Sequence, residues 1–336
     1  MTFSFFKNKS ILCPYCLAEI KYAGEISSCE GRECKKPFPT MYYKNHRQAP
    51  PFFIQMTGWS QVGKSAYLLA LTQSLQKMDK FWGSNGFTIM AETEETMRYM
   101  QEVAIMEKNG SIPSATQLQL QQAYIMELKN MPRWGNRTVV TRDVAGEAFA
   151  ALSFPLGYMP YFMHVPTTLM LFSPTDIEQD PRQQMNFLMM GFINTLTANG
   201  HDFTRQQRNI VVVISKADQL LDRRSGSQEL SEELKDYLQA DPFTSQASSS
   251  LADNVYMEKY MSELKQKGLK IQEYVMKKVP GGSQFVAQAK DYGIRLDFCL
   301  LSSLGGDPGP DKKMRVIQSP LRVIDPLLLA LDYQSF

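Results

Sequence analysis

Histidine is scarce in this chain. The 336 residues hold three, His46, His164 and His201, too scattered to suggest a catalytic or metal cluster, so no Ser-His-Asp hydrolase is indicated. Long hydrophobic runs are missing too. Nothing approaches the roughly 18 consecutive apolar residues of a membrane span, and the greasiest stretches, 168–172 and 210–214, have strand length. The first ten residues, MTFSFFKNKS, are too polar for the apolar core of a signal peptide. No membrane contact and a cytoplasmic location are therefore expected. Charge of one sign is also lacking: 36 Lys and Arg face 34 Asp and Glu, a net +2, which gives no strong pull on nucleic acid or anionic lipid. There is no internal repeat and no long low-complexity segment.

What is present is an ordinary globular composition, 43% hydrophobic and 21% charged, in a chain long enough for one large domain and a small one. Residues 1–48 form a first unit that ends in a polar, basic run before Pro50 and Pro51. Beyond it, strand-like and helix-like pieces alternate. Strands are expected at 52–57, 117–128, 137–143, 168–173, 210–214 and 298–301, and helices at 64–78, 92–107, 183–196 and 321–331, with Pro326 breaking or starting the last. This alternation predicts an α/β fold: a mostly parallel six-stranded sheet in three layers with helices on both faces. Residues 222–291 read as a mainly helical insertion in the domain that spans 49–336.

The strongest local signal is Gly58-Trp59-Ser60-Gln61-Val62-Gly63-Lys64-Ser65, which matches G-x-x-x-x-G-K-[ST] between a strand and a helix. Glycines let a backbone wrap closely around phosphate, and successive N–H groups at a helix N-terminus, here including Ala66, point at negative charge. Lys64 would reach the β- and γ-phosphates, and the Ser65 hydroxyl would ligate Mg²⁺. A second element, Asp143-Val144-Ala145-Gly146-Glu147, ends a strand; Asp143 would support Mg²⁺ and Gly146 would offer its N–H to a γ-phosphate. A third, Ser215-Lys216-Ala217-Asp218, follows the strand 211–214. A carboxylate at Asp218 accepts the paired N–H donors of guanine, a pair that adenine lacks. The aliphatic stem of Lys216 would stack on the base.

In this order, GWSQVGKS, DVAGE, SKAD and LSSLG resemble the motifs of the Ras-like and translation-factor-like (TRAFAC-class) GTPases over residues 52–332. The resemblance implies a G domain that binds GTP or GDP with Mg²⁺ and hydrolyses GTP as a conformational switch. It places Ser302, Ser303 and Leu304 in the loop that contacts the guanine oxygen. It also calls for a Mg²⁺-binding threonine before the second strand, for which Thr116 fits better than Thr88, Thr93 or Thr96. Three departures stand out. Ser215 replaces the usual Asn or Thr, Leu304 replaces a Lys, and Glu147 stands where many members orient water with Gln. Glu147 is thus the candidate for positioning water beside Lys64 and Thr116, and its carboxylate predicts slow turnover. A non-hydrolysing guanine-nucleotide scaffold or a GTP-regulated zinc-ribbon adaptor for nucleic acid remain as alternatives. Residues 154–166, rich in Pro, Tyr, Phe and Met, fall on the family's mobile second switch; together with the helical insertion they would meet protein partners, and a buried helix-and-turn explains them equally well. The layout is similar to GTPases of bacterial conflict or defence systems.

Four of the five cysteines, Cys13, Cys16, Cys29 and Cys34, lie in the first 34 residues. Two closely spaced thiol pairs can meet at one tetrahedral zinc, and a closed Cys₄ site is structural. The segment resembles a zinc ribbon, whose folding the metal would support. Lys35, Lys36, Lys44, His46 and Arg47 allow contact with nucleic acid or protein, although a solvated face explains them better. Cys299, alone in an apolar run, reads as a small buried hydrophobe.

Overall fold

In a computed structural model of the chain, residues 9–22, 26–31, 34–109, 123–143, 159–221, 229–244, 246–306 and 320–333 are described. The N-terminal unit is a hairpin of β1 (Lys9–Leu12) and β2 (Glu19–Tyr22) followed by the short helix α1 (Thr40–Asn45). Then come β3 (Pro51–Thr57), α2 (Lys64–Trp82), β4 (Thr88–Ala91), α3 (Glu94–Asn109), β5 (Tyr124–Met131) and β6 (Gly135–Asp143). The second half adds α4 (Met159–His164), β7 (Thr167–Phe172), α5 (Pro174–Gln179), α6 (Met185–Ala198), β8 (Asn209–Ile214), α7 (Glu232–Gln239), α8 (Asn254–Lys278), α9 (Gly282–Asp291), β9 (Arg295–Leu300) and α10 (Asp325–Asp332).

Among the described residues the main sheet has seven strands in the order β4-β5-β6-β3-β7-β8-β9. From β6 to β9 every pairing is parallel; β4 and β5 are antiparallel to their neighbours. The α/β class and the mostly parallel sheet match the expectation, but the expected six strands become seven. The extra one is β4, four residues at the edge, paired with β5 from Thr88↔Lys129 to Ala91↔Met126. It is too short to display an alternating pattern in the sequence.

The central strands were legible because parallel strands covered on both faces need apolar, β-branched side chains throughout. All six residues of β7 and of β8 are buried. Helix α2 packs Leu71, Leu75, Met78 and Trp82 inward at three- and four-residue spacing. It runs a turn past the expected Met78 because Trp82 buries completely, edge-on to Phe87. Helix α8 buries Met257, Met261, Leu264, Gly268, Ile271 and Val275 in the same rhythm. Gly268 lies flush on β9: a Cβ there would sit 3.0 Å from the Phe298 carbonyl oxygen. Pro326 stands in the first turn of α10, where its missing N–H costs nothing.

One buried polar network joins α7, α8 and α10. The Arg322 guanidinium donates to the carbonyls of Tyr237 (2.8 Å) and Ala240 (2.9 Å) and to the Tyr260 hydroxyl (3.0 Å). Asp325, fully buried, accepts from the hydroxyls of Tyr237 (2.6 Å) and Tyr260. The Arg322 N–H donates to Asp241. Burial pushes the Asp325 carboxyl up to about 6 in spite of the guanidinium beside it. The N-terminal unit shares one continuous apolar core with the sheet, and Asn45 donates to Glu127 on β5 at 2.9 Å. Among the described residues no helix is long and apolar enough to cross a membrane.

Candidate functional site

Strand β3 is flanked by β6, reached through the edge strands, and by β7, which starts the march toward the other edge. Such a switch point opens a crevice at the carboxyl ends of the strands, the usual ligand position in doubly wound sheets. The strand registers bring these ends together: Met56 pairs with Asp143, Thr57 with Met170, Phe172 with Ile214, and Ile214 with Leu300.

Residues 58–63 leave β3 at that crevice and enter α2. Gly58 has φ +154°, and a Cβ on it would lie 2.6 Å from the Leu171 carbonyl oxygen, so the loop presses on β7 in a way that only glycine permits. Gln61 (φ 65°) and Gly63 (φ 95°) take left-handed conformations. Alternating right- and left-handed backbone turns successive N–H groups toward one concavity. Lys64 opens α2, with Ser65 and Ala66 following in its first turn. Only 5% of Lys64 is exposed, and its ammonium donates back to the carbonyls of Gly58 (2.9 Å) and Trp59 (3.0 Å). A cation thus sits inside the curl of the loop. Ser60 and Gln61 are exposed at the rim, while Val62 is buried beneath it.

The 215–218 loop docks directly on this turn. The Ser215 hydroxyl lies 2.7 Å from the Val62 carbonyl and 3.0 Å from that of Phe172, and its single proton serves one at a time. Ser215 therefore braces the loop despite being smaller than Asn or Thr. Lys216 is left-handed (φ 53°) and pairs with both carboxylate oxygens of Asp176, at 2.8 and 3.0 Å. Asp218, half-buried, lies in the 3₁₀ turn 217–220. The Ala217 N–H donates to Leu301 at 3.0 Å, joining this loop to the one after β9. There Ser302 and Ser303 are buried, Leu304 is half-buried, and Ser302 pairs with Leu321 in an isolated bridge.

Asp143 ends β6 at the level of Met56. The expected contributions of Thr116, Gly146 and Glu147 lie outside the described residues. Of the competing threonines, Thr93 caps α3 by accepting the Thr96 N–H (3.1 Å), and the Thr96 hydroxyl accepts the Ile125 N–H (3.0 Å). Within 159–166, Tyr161 and Phe162 are fully buried, and the Tyr161 hydroxyl reaches the carbonyls of Ile54 and Val140 at 3.1 Å each. Cys299 is fully buried in β9. Sequence reasoning missed Asp176, which holds the Lys216 ammonium, and Thr175 and Gln219, which bond to each other. Their only signal was a Ser-Pro-x-Asp helix start directly after β7.

At the N-terminus the ligand atoms of Cys13, Cys16, Cys29 and Cys34 lie within 4.8 Å of one another. A tetrahedron with metal–sulfur bonds of about 2.3 Å has edges of roughly 3.8 Å. The Cys13–Cys34 sulfurs are 3.9 Å apart and the Cys16–Cys29 sulfurs 3.5 Å, far beyond the ~2 Å of a disulfide. Two turns present them. Leu17 N–H closes on Cys13 O in the first and Cys34 N–H on Gly31 O in the second. The N–H groups of Tyr15 and Gly31 point at the sulfurs of Cys13 (3.4 Å) and Cys29 (3.3 Å), the arrangement that supports thiolate charge. The Cys13 thiol donating to it draws Cys16 down to about 5, whereas burial pushes Cys29 up to about 11. Four soft sulfur donors in this geometry could hold a zinc ion.

Comparison of the chain with known protein families and with curated proteins found no match.

Proposed function

We propose that this chain is a GTPase of the Ras-like, translation-factor-like class: a Mg²⁺-dependent protein that binds GTP, hydrolyses it to GDP and phosphate, and switches conformation as it does so. The observation that carries this reading is the turn 58–64, with its buried Lys64 ammonium folded back on the carbonyls of Gly58 and Trp59 at the switch point of the sheet. A phosphate chain entering that concavity takes over the ammonium from the carbonyls and gains the loop N–H groups. Ser65 and Asp143, with Thr116, would hold Mg²⁺, which supplies charge neutralisation between the outer phosphates. Asp218 supports guanine over adenine, because its loop is tied to the phosphate loop through Ser215 and to residues 301–304 through Ala217. Zinc at Cys13, Cys16, Cys29 and Cys34 has a structural role, since four sulfurs leave no open coordination position.

Calorimetry on the intact chain, with zinc measured on the same sample, tests this. GDP and GTP should bind with Mg²⁺ in the micromolar range or tighter, and ATP about 100-fold more weakly. Lys64→Ala should weaken GTP by about 100-fold while the nucleotide-free protein still unfolds in one cooperative transition. Equal binding of ATP and GTP, or of neither, would sink the assignment. Glu147 favours a second version in which turnover is negligible and the nucleotide acts as a regulatory ligand; multiple-turnover phosphate release separates the two.

A further inference from the structure

The segment after β7 holds the segment after β8 by side chains that no sequence motif joins. Residues 173–176 carry a directional chain of hydrogen bonds. The Asp176 N–H donates to the Ser173 hydroxyl (3.4 Å), which lies 3.1 Å from the Thr175 hydroxyl, which in turn donates to Gln219 Oε1 at 2.6 Å. Beside it, both Asp176 carboxylate oxygens hold the Lys216 ammonium. The main chain adds Ser215 N–H to Phe172 O at 2.8 Å. Lys216 and Gln219, the anchored residues, bracket Asp218.

The backbone shows why anchors are needed. Lys216 is a non-glycine residue at φ 53°, a conformation that relaxes unless its surroundings hold it. Its side chain is 31% exposed and that of Asp176 21%, so the pair is sheltered but not sealed off. With its head fixed at Asp176, the Lys216 stem is stretched in one direction instead of sweeping through its rotamers.

We propose that Asp176, assisted by Thr175, is a positioning residue for base recognition: it acts through Lys216 to preset the loop that carries Asp218. This rests on the guanine-nucleotide reading given above. Asp176 acts at one remove: it fixes the residue that would lie against a base and, through it, the direction of the neighbouring carboxylate. Preorganisation of this kind strengthens binding by removing the ordering cost at the moment of contact.

The experiment uses the intact chain with Mg²⁺ and two probes, GDP and ADP. Both bind through the phosphate loop, but only GDP needs Asp218. Asp176→Ala and the near-isosteric Asp176→Asn should each raise the Kd for GDP about fivefold, the size of one partly sheltered ion pair, and change that for ADP less than twofold. In a Lys216→Met background, which keeps the aliphatic stem and removes the charge, the same Asp176 substitutions should add less than a twofold loss. Thermal unfolding without nucleotide checks that the variants fold. Unchanged GDP affinity in both Asp176 variants overturns the proposal. So does an equal loss for GDP and ADP, or a full loss that persists beside Lys216→Met. If the unsubstituted chain fails to prefer GDP over ADP, the guanine reading itself falls, and this extension falls with it; that result is distinct from a selective wild type whose Asp176 variants are silent.

Discussion

In the N-terminal unit, two four-residue strands and a six-residue helix bury Ile11, Leu17, Ile20, Phe38 and Tyr42 around four sulfur atoms. The sheet behind it instead lays β7 and β8, buried along their whole length, between layers of helix. The smaller region has too little apolar surface to order its own turns, so cohesion comes from side chains converging on a point. The larger one gains cohesion from area, and buried charges such as Lys64 and Arg322 are held by main-chain carbonyls. The two regions should therefore fail under different insults, although they share a continuous apolar core and the Asn45–Glu127 hydrogen bond.

The largest effect should come from stripping the four sulfurs of the zinc ion they could hold. Chelation, or Cys29→Ser, should cost the module most of its ordering free energy, on the order of 10 kcal/mol in small metal-folded units. Amide exchange at Ile11, Ile20 and Tyr42 should become fast while Val211–Val213 in β8 stay protected. Concurrent loss of protection in β8 would break the comparison. Next in size is Arg322→Met, which removes the positive charge beside the buried Asp325 carboxylate and the donors to the Tyr237 and Ala240 carbonyls and should lower stability by about 3–5 kcal/mol in urea unfolding. The metal content should not change. The smallest effect lies at the seam. Glu92 on the β4 side is 8% exposed beside Glu127, and burial, then the neighbouring carboxyl, raises it to about 7. Between about pH 4.5, its ordinary value, and pH 7 the folded chain keeps a proton that the unfolded chain has lost. Stability should thus fall as pH rises through that window, by up to about 3 kcal/mol, and then level off. Glu92→Gln should flatten this dependence; an unchanged slope would remove Glu92 as its source.

The sequence exposed features whose physics is local or repetitive. The apolar runs of β7 and β8, the inward rhythm of α8, and the paired cysteines each carry their signal within a few residues. The spacing that suggested a four-sulfur cluster also brought those sulfurs together in space. Features built by distant partners stayed hidden. Asp176 lies forty residues from Lys216, and Arg322 reaches back more than eighty to Tyr237 and Ala240. In sequence each reads as an ordinary polar residue. The seam carboxylates were invisible for the same reason, since Glu92 and Glu127 become neighbours only when β4 pairs with β5.

The brevity of β4 also bears on self-association. It closes its edge of the sheet with four residues, so it offers an approaching chain only a short row of main-chain groups. A second extended segment finds too few hydrogen bonds there to hold its register, and Gly86, with φ +80°, turns the backbone away just before the strand begins. Stacking of copies side by side through this flank is thereby discouraged.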